Sequence, residues 1–205
     1  MYTSYNTAPI IYKDGTTVTF GDFGMRLYDS GSDITFGNFS TADCFHIEKT
    51  HLYLKSLSTH GVKSVEFILH RPDTEPKRTM LIEAKKTLAT EGATTRSFRE
   101  EVAEIAQKFR DSLQLAYNIW LGGHTGKVQI SANFPQFFER GCEMRLVLVI
   151  KERKEMDNTK IADAIQRHLT KDVKMWGTLV KFKVKVLKEH EAVSRKLAIA
   201  LEEST

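Results

Sequence analysis

Residues 65–85 read VEFILHRPDTEPKRTMLIEAK, which is two apolar runs joined by a segment that contains Pro72, Asp73 and Pro76. Proline cannot donate to a strand ladder, so the joining segment cannot continue a strand. The runs at 65–69 and 80–84 therefore predict a β-hairpin. A turn centred on the middle of residues 72–77 places Glu66 directly opposite Glu83.

Glu83 and Lys85 stand two residues apart at the end of the second run, so both side chains leave the same face of the strand. Cross-strand neighbours have Cβ atoms about 4.5–5.5 Å apart, which lets Glu66 and Glu83 grip one divalent cation. An acid two residues before a lysine also occurs at 75–77, 152–154 and 172–174, so the triplet alone identifies nothing. The alternative is a surface hairpin with cross-strand ion pairs.

Asp73 completes a literal Pro-Asp pair but falls in the predicted turn, ten residues from Glu83. A strand advances roughly 3.3 Å per residue, so Asp73 should lie far from the Glu83 carboxylate. Glu66 is therefore predicted to be the second acid of the site.

The residues that flank the hairpin predict alternating helices and strands. A helix is expected within residues 47–60, with Glu48 in its first turn and Gly61 as its cap. Ser97 and Glu100 form a capping-box pattern before an apolar stripe that runs to about Trp120. The remaining predictions are short strands and turns over 1–40, a buried strand at 146–150, a helix at 159–169, a strand at 180–186 and a final helix at 189–201.

The 205 residues predict one domain, 1–205, with strands and turns at 1–40, a core at 45–150 and a helix-strand-helix extension at 151–205. No apolar run approaches the roughly 20 residues of a membrane span, and the start lacks a signal-peptide pattern, which predicts a cytoplasmic protein. Two cysteines support neither a disulfide scaffold nor a zinc site.

Over about residues 45–115 the chain resembles the PD-(D/E)XK, or restriction-endonuclease-like, nuclease superfamily. The resemblance rests on FHIEKTHLYLKSL, GVKSVEFIL, RTMLIEAKKT and FREEVAEIAQKFRDSL, which supply a helix with an acid, a strand with an acid, a strand ending in Glu-x-Lys and a long helix. It implies an α/β fold with a three-layer core, in which a mixed β-sheet is flanked by helices.

The resemblance also implies roles for the site residues. Glu66, Glu83 and the Ala84 carbonyl would hold Mg²⁺, for which Mn²⁺ would substitute, and Lys85 would position or activate the attacking water. Glu48 would be the helix acid that binds a second metal, although a glutamate in a first turn also stabilises the helix dipole without any other function. The strand acid is usually Asp, and Glu66 is one methylene longer.

The implied function is that of a metal-dependent endonuclease acting on DNA, with RNA as the alternative substrate, as in restriction or anti-phage systems. No helix-turn-helix or zinc-finger pattern is present, so a partner protein is expected to supply specificity, and a homodimer is a further option. The candidates for nucleic-acid contact are Lys86, Lys108, Lys181, Lys183 and Lys185.

Two alternatives stay open. The lysines of the last strand could instead discourage strand addition between molecules. The whole chain could be a catalytically silent nuclease-fold subunit that binds nucleic acid or serves assembly.

The hairpin register predicts different outcomes for two acidic residues. Glu66→Ala should abolish metal-dependent nicking of plasmid DNA, whereas Asp73→Ala should be nearly silent, because only Glu66 faces Glu83. Loss of nicking in Asp73→Ala with retention in Glu66→Ala would show that the register is wrong.

Overall fold

The computed structural model describes residues 7–11, 13–21, 24–89, 97–124, 130–152, 157–176 and 182–200. Within these ranges it is an α/β structure with two β-sheets and flanking helices. The helices are α1 (Phe98–Trp120), α2 (Asn158–Trp176) and α3 (Glu189–Ser194). The strands are β1 (Thr7–Ile11), β2 (Thr17–Gly21), β3 (Gly24–Asp29), β4 (Ile34–Phe39), β5 (Cys44–Phe45), β6 (Phe67–Arg71), β7 (Arg78–Lys85), β8 (Glu143–Ile150), β9 (Phe182–Lys188) and β10 (Ala198–Ile199).

The central sheet has the strand order β5-β6-β7-β8-β9. Its first two pairings are antiparallel, and β7-β8 and β8-β9 are parallel. Helices α1 and α2 pack on one face of this sheet. The second sheet, in the order β1-β2-β3-β4-β10, is antiparallel throughout and packs on the other face. Burial on both faces explains why the central strands read as continuous apolar runs.

The predicted hairpin is confirmed as β6 and β7. Phe67 pairs with Ile82, which is the register that sets Glu66 against Glu83. The ladder ends there, and the Glu66 N–H donates to the Ile82 carbonyl at 3.0 Å. Asp73 lies in the hairpin turn, as predicted, where it accepts hydrogen bonds from Arg71.

The long helix is confirmed as α1. Ser97 accepts from the Glu100 N–H at 3.2 Å, and the Glu100 carboxylate accepts from the Ser97 N–H at 2.9 Å, which is a complete capping box. The predicted stripe from Val102 to Ala116 is buried against the central sheet. No helix in the described ranges has the length and apolar character that a bilayer crossing needs.

The helix expected within residues 47–60 begins later, at His51, and is irregular, with a π-helical and then a 3₁₀ segment before Gly61. The reason is Thr50. Its hydroxyl donates to the Ile47 carbonyl at 2.8 Å and accepts from the Tyr53 N–H at 3.2 Å, which is how a residue just before a helix behaves. The prediction that Glu48 lies in a first helical turn is therefore wrong, because Glu48 lies in the preceding turn.

The C-terminal elements differ from prediction in their bounds. Helix α2 is longer than expected, and β9 is confirmed at Phe182–Lys188, while Lys181 lies outside the described residues. The final helix ends at Ser194, not near 201. Lys196 takes a positive φ of 57° and the chain turns back, so that β10 pairs with β4 and buries Leu197 in the core between the sheets.

Ser112 of α1 offers a test of how the segment before β6 is held. Its side chain has 0% exposure, and its hydroxyl accepts from the Val65 N–H at 2.8 Å. Ser112→Ala leaves that buried N–H without an acceptor, so unfolding in urea should show a loss of about 1–3 kcal/mol in stability. Ser58→Ala, at an exposed serine, is the matched control and should change little. Equal midpoints for both variants would contradict the assignment.

Candidate active site

Two glutamates lie side by side at the end of the β6-β7 hairpin, on the face of the central sheet that α1 covers. Side chains alternate along β7, so Glu83 shares its face with Leu81, which belongs to the helix-side core. Glu83 is 0% exposed and Glu66 is 8% exposed. Two acids are thus held out of water between sheet and helix.

Lys108 of α1 reaches both acids. Its Nζ donates to Oε1 of Glu83 at 2.7 Å and lies 3.9 Å from Oε1 of Glu66. The other oxygen of Glu83, Oε2, is buried and has no hydrogen-bond partner within the described part of the chain. The Lys108 ammonium is therefore shared by the two carboxylates, and the buried Oε2 of Glu83 has no hydrogen-bond partner among the described residues.

The electrostatics of this cluster reflect its burial. Burial, followed by the charges of Glu83 and Glu48, raises the pKa of Glu66 well above its ordinary value. Burial raises the pKa of Glu83 to about 7, against the lowering effect of the Lys108 ammonium. Burial opposes the charge on Lys108, but the carboxylates of Glu83 and Glu66 outweigh it and raise the pKa of Lys108. When both carboxylates are ionised, the Lys108 ammonium alone leaves a negative surplus, which a proton or a further cation, such as the nearby Lys85 ammonium, can offset.

Lys85 and the Ala84 carbonyl stand where the strand geometry predicts. Lys85 is half-buried, and its charge lowers the pKa of Glu83. The Lys85 carbonyl accepts from Lys151 on the β8 side, and the Ile82 carbonyl accepts from Glu66 on the β6 side. Carbonyls alternate in direction along a strand, so the Ala84 carbonyl points toward the Glu66 side of β7.

Glu48 is paired with a neighbouring lysine. Its Oε1 accepts from Lys49 at 2.6 Å, and Lys49 also donates to Asp14 at 2.5 Å. Its charge acts on Glu66 and Glu83 only through space. No three His, Cys, Asp or Glu side chains in the described ranges are grouped closely enough to hold a metal ion.

The lysines predicted to contact nucleic acid divide between the two faces of the sheet. Lys108 is in the carboxylate cluster, and the exposed Lys86 lies 3.8 Å from Glu152 at the same end of β7. Lys185 pairs laterally with Val147, which lies in the core on the opposite face from Glu83. Lys183, two residues away, shares that face. The central sheet therefore separates these two lysines from the carboxylates.

Sequence reasoning missed the residues that position Glu66. Asp111 of α1 accepts from the Lys63 N–H at 3.0 Å, and Ser112 accepts from the Val65 N–H at 2.8 Å. Gln107 lies 3.4 Å from Asp111 and donates to it. The sequence feature that could have indicated this role is Ser112, because it is a polar residue at a position that helical spacing assigns to the buried stripe.

Comparison with known proteins gave no match to a family model, to a curated protein or to a solved structure. The chemistry of the site therefore has to be argued from its own atoms. Its donors are carboxylate and carbonyl oxygens, the ligands that Mg²⁺ and Mn²⁺ accept. The unpartnered Oε2 of Glu83 and the negative surplus both suit one added divalent cation.

Metal affinity at this site should rise with pH. A carboxylate must lose its proton before it binds a cation, and the raised pKa of Glu83, about 7, keeps it protonated in mild acid. Calorimetric titration with Mn²⁺ should therefore show affinity growing by about tenfold per pH unit below neutrality for the proton displaced from Glu83, and more steeply where Glu66, whose pKa is also raised, loses a proton as well. Glu83→Gln, which cannot titrate, is the control and should bind weakly throughout. An affinity that is unchanged between mildly acidic and mildly basic solution would contradict this assignment.

Proposed function

We propose that this protein is a metal-dependent endonuclease with a restriction-endonuclease-like core, hydrolysing phosphodiester bonds in DNA. The observation that carries the proposal is the buried pair of Glu66 and Glu83, with Lys85 two residues further along the same strand face. Burying two carboxylates side by side is costly, and such arrangements are typical of sites that bind a cation or move protons.

The order of the elements supports the proposed core. An antiparallel hairpin, β6-β7, is followed by α1 and then by β8, which lies parallel to β7. The Glu83-Ala84-Lys85 segment stands at the C-terminal end of β7, and a helix covers it. This is the arrangement that the resemblance of residues 45–115 leads one to expect.

The proposed roles follow from position. Glu66, Glu83 and the Ala84 carbonyl would hold the magnesium ion. Bound there, Mg²⁺ would supply positive charge against the phosphate oxygens and lower the pKa of water. Lys85 is half-buried beside Glu83, so its ammonium can orient the attacking water and offset the charge that develops in the transition state.

Lys108 would act as an exchangeable cation. Its ammonium holds the Glu83 carboxylate in the resting site at 2.7 Å and must give up that contact, at least in part, when a divalent ion binds. Its side chain has 16% exposure, so it stays close to the site and can then donate to a phosphate oxygen.

The same ion pair supports a second candidate function. Lys108 already neutralises one carboxylate, so the cluster could serve as a structural link between β7 and α1 in a catalytically silent subunit that binds nucleic acid or serves assembly. Plasmid nicking assayed with Mg²⁺, Mn²⁺ and EDTA separates the two functions. Lack of nicking in both metals would favour the silent subunit.

Glu83 and Lys85 should have separable roles. Glu83→Gln keeps the side-chain size but removes the charged ligand, so both Mn²⁺ binding and nicking should be lost. Lys85→Ala removes a nearby positive charge and should bind Mn²⁺ at least as well, while nicking falls by about 10² or more, because a charge beside the nucleophile is lost.

Lys55→Ala, at an exposed lysine outside the proposed site, is the matched control and should nick at the parental rate. Circular dichroism checks that each variant is folded, and a gel shift in Ca²⁺ separates DNA binding from turnover. Full nicking by Lys85→Ala would remove the Glu-Ala-Lys segment from the proposed mechanism.

A further inference from the structure

We infer that a basic cleft on the opposite face of the central sheet binds the phosphate backbone of a single nucleic-acid strand. The cleft has a volume of about 240 Å³. Its basic side chains come from five separate places in the fold, and the rest of the lining is apolar side chains of β7, β8 and β9 together with Thr74 and Leu197. The basic residues are Arg71, Arg78, Arg145, Lys185 and Arg195.

The cleft carries surplus positive charge. Asp73 engages Arg71 at 3.1 Å, and Glu143 accepts from Arg78 at 3.2 Å and from Arg145 at 2.8 Å. These two carboxylates are the only acids that bond the basic lining residues within the described part of the chain.

Lys185 and Arg195 are the two remaining basic residues of the cleft lining. Neither has an ion pair among the described residues, and both are exposed. Glu143 thus fixes the guanidinium groups of two arginines, while Lys185 and Arg195 leave the cleft with uncompensated charge. That combination is suited to an anionic ligand.

The cleft is separate from the carboxylate cluster. Arg78 begins β7 and Glu83 lies five residues further along it, a distance of about 16 Å at the rise of an extended strand. Arg145 pairs laterally with Met80, whose side chain faces the core between the two sheets, on the other side from Glu83. A phosphate in the cleft is therefore not the one that the carboxylates would act on. The inference goes beyond the proposed function and does not depend on cleavage.

The shape and charge of the cleft favour a polynucleotide over a small phosphorylated molecule. Pockets for small molecules measure about 300–1,000 Å³, and this cleft is below that range. Lys183, which precedes Lys185 on the same strand face, adds a further cation next to the cleft; its side chain is 70% exposed and its Nζ lies 3.7 Å from Glu143. The planar guanidinium group of an arginine fits the geometry of a phosphate group. A row of cations fits the successive phosphates of a polynucleotide.

The test measures binding without metal. Fluorescence anisotropy in EDTA would follow a labelled single-stranded DNA oligonucleotide, so that the state of the carboxylate site does not enter. The variant Lys185→Gln with Arg195→Gln removes the two unpaired cations and leaves the Glu143 network intact. Affinity should fall by about tenfold, and the slope of log affinity against log salt should fall by about 1.4, as expected for two lost contacts to a single strand.

Two further variants make the result specific. Lys55→Gln with Arg167→Gln removes the same charges at exposed positions elsewhere and should bind like the parent. Glu83→Gln should also retain oligonucleotide binding, although it loses nicking if the proposed function holds, so failure of either idea can be recognised separately.

Two outcomes would overturn the inference. The first is parental oligonucleotide binding by the cleft variant, whether or not that variant loses binding of inorganic triphosphate or of an acidic peptide. The second is an equal loss in the charge-matched control.

Discussion

The ion pair between Glu83 on β7 and Lys108 on α1 joins the central sheet to the helix that covers it, across an interface that is largely apolar. A charged link in such a place is stable only when each partner is satisfied. Glu66 brings a second carboxylate to the same ammonium. Burial raises the pKa values of both acids, and within the described part of the chain Oε2 of Glu83 has no hydrogen-bond partner.

Lys108 also sets the balance between the two functions considered for this chain. An ammonium that holds a carboxylate at 2.7 Å competes with any metal ion for the same oxygen. Mg²⁺ carries twice the charge of the ammonium but gives up its hydration water reluctantly. Charge alone therefore does not decide whether the ammonium or the metal ion binds the Glu83 oxygen.

The carboxylate cluster and the basic cleft lie on opposite faces of the central sheet. Carboxylates gather on the helix side near the C-terminal end of β7, and arginines gather on the other side near its N-terminal end. The second sheet covers that other face along its apolar part, where Phe36 contacts Phe67 with ring centroids 5.2 Å apart. At Arg145 and Lys185 the face instead opens into the basic cleft. A nucleic-acid strand bound in that cleft would therefore contact one face of the central sheet. A phosphodiester bond at the carboxylates would contact the other face.

The sequence by itself determined the parts of this protein that depend on local spacing: the register of β6 and β7, the turn at Asp73, the cap of α1 and the shared face of Glu83 and Lys85. These follow from the two-residue period of strands, the 3.6-residue period of helices and the restrictions of proline. Only the tertiary structure decided that Lys108 meets Glu83, that Asp111 and Ser112 hold the segment before Glu66, that β10 returns to β4, and that Lys183 and Lys185 face away from the carboxylates. Each of these features depends on which face of one element packs against another element that is distant in sequence. That packing is set by burying the two apolar cores and satisfying the buried polar groups at the same time. No local sequence pattern contains this information.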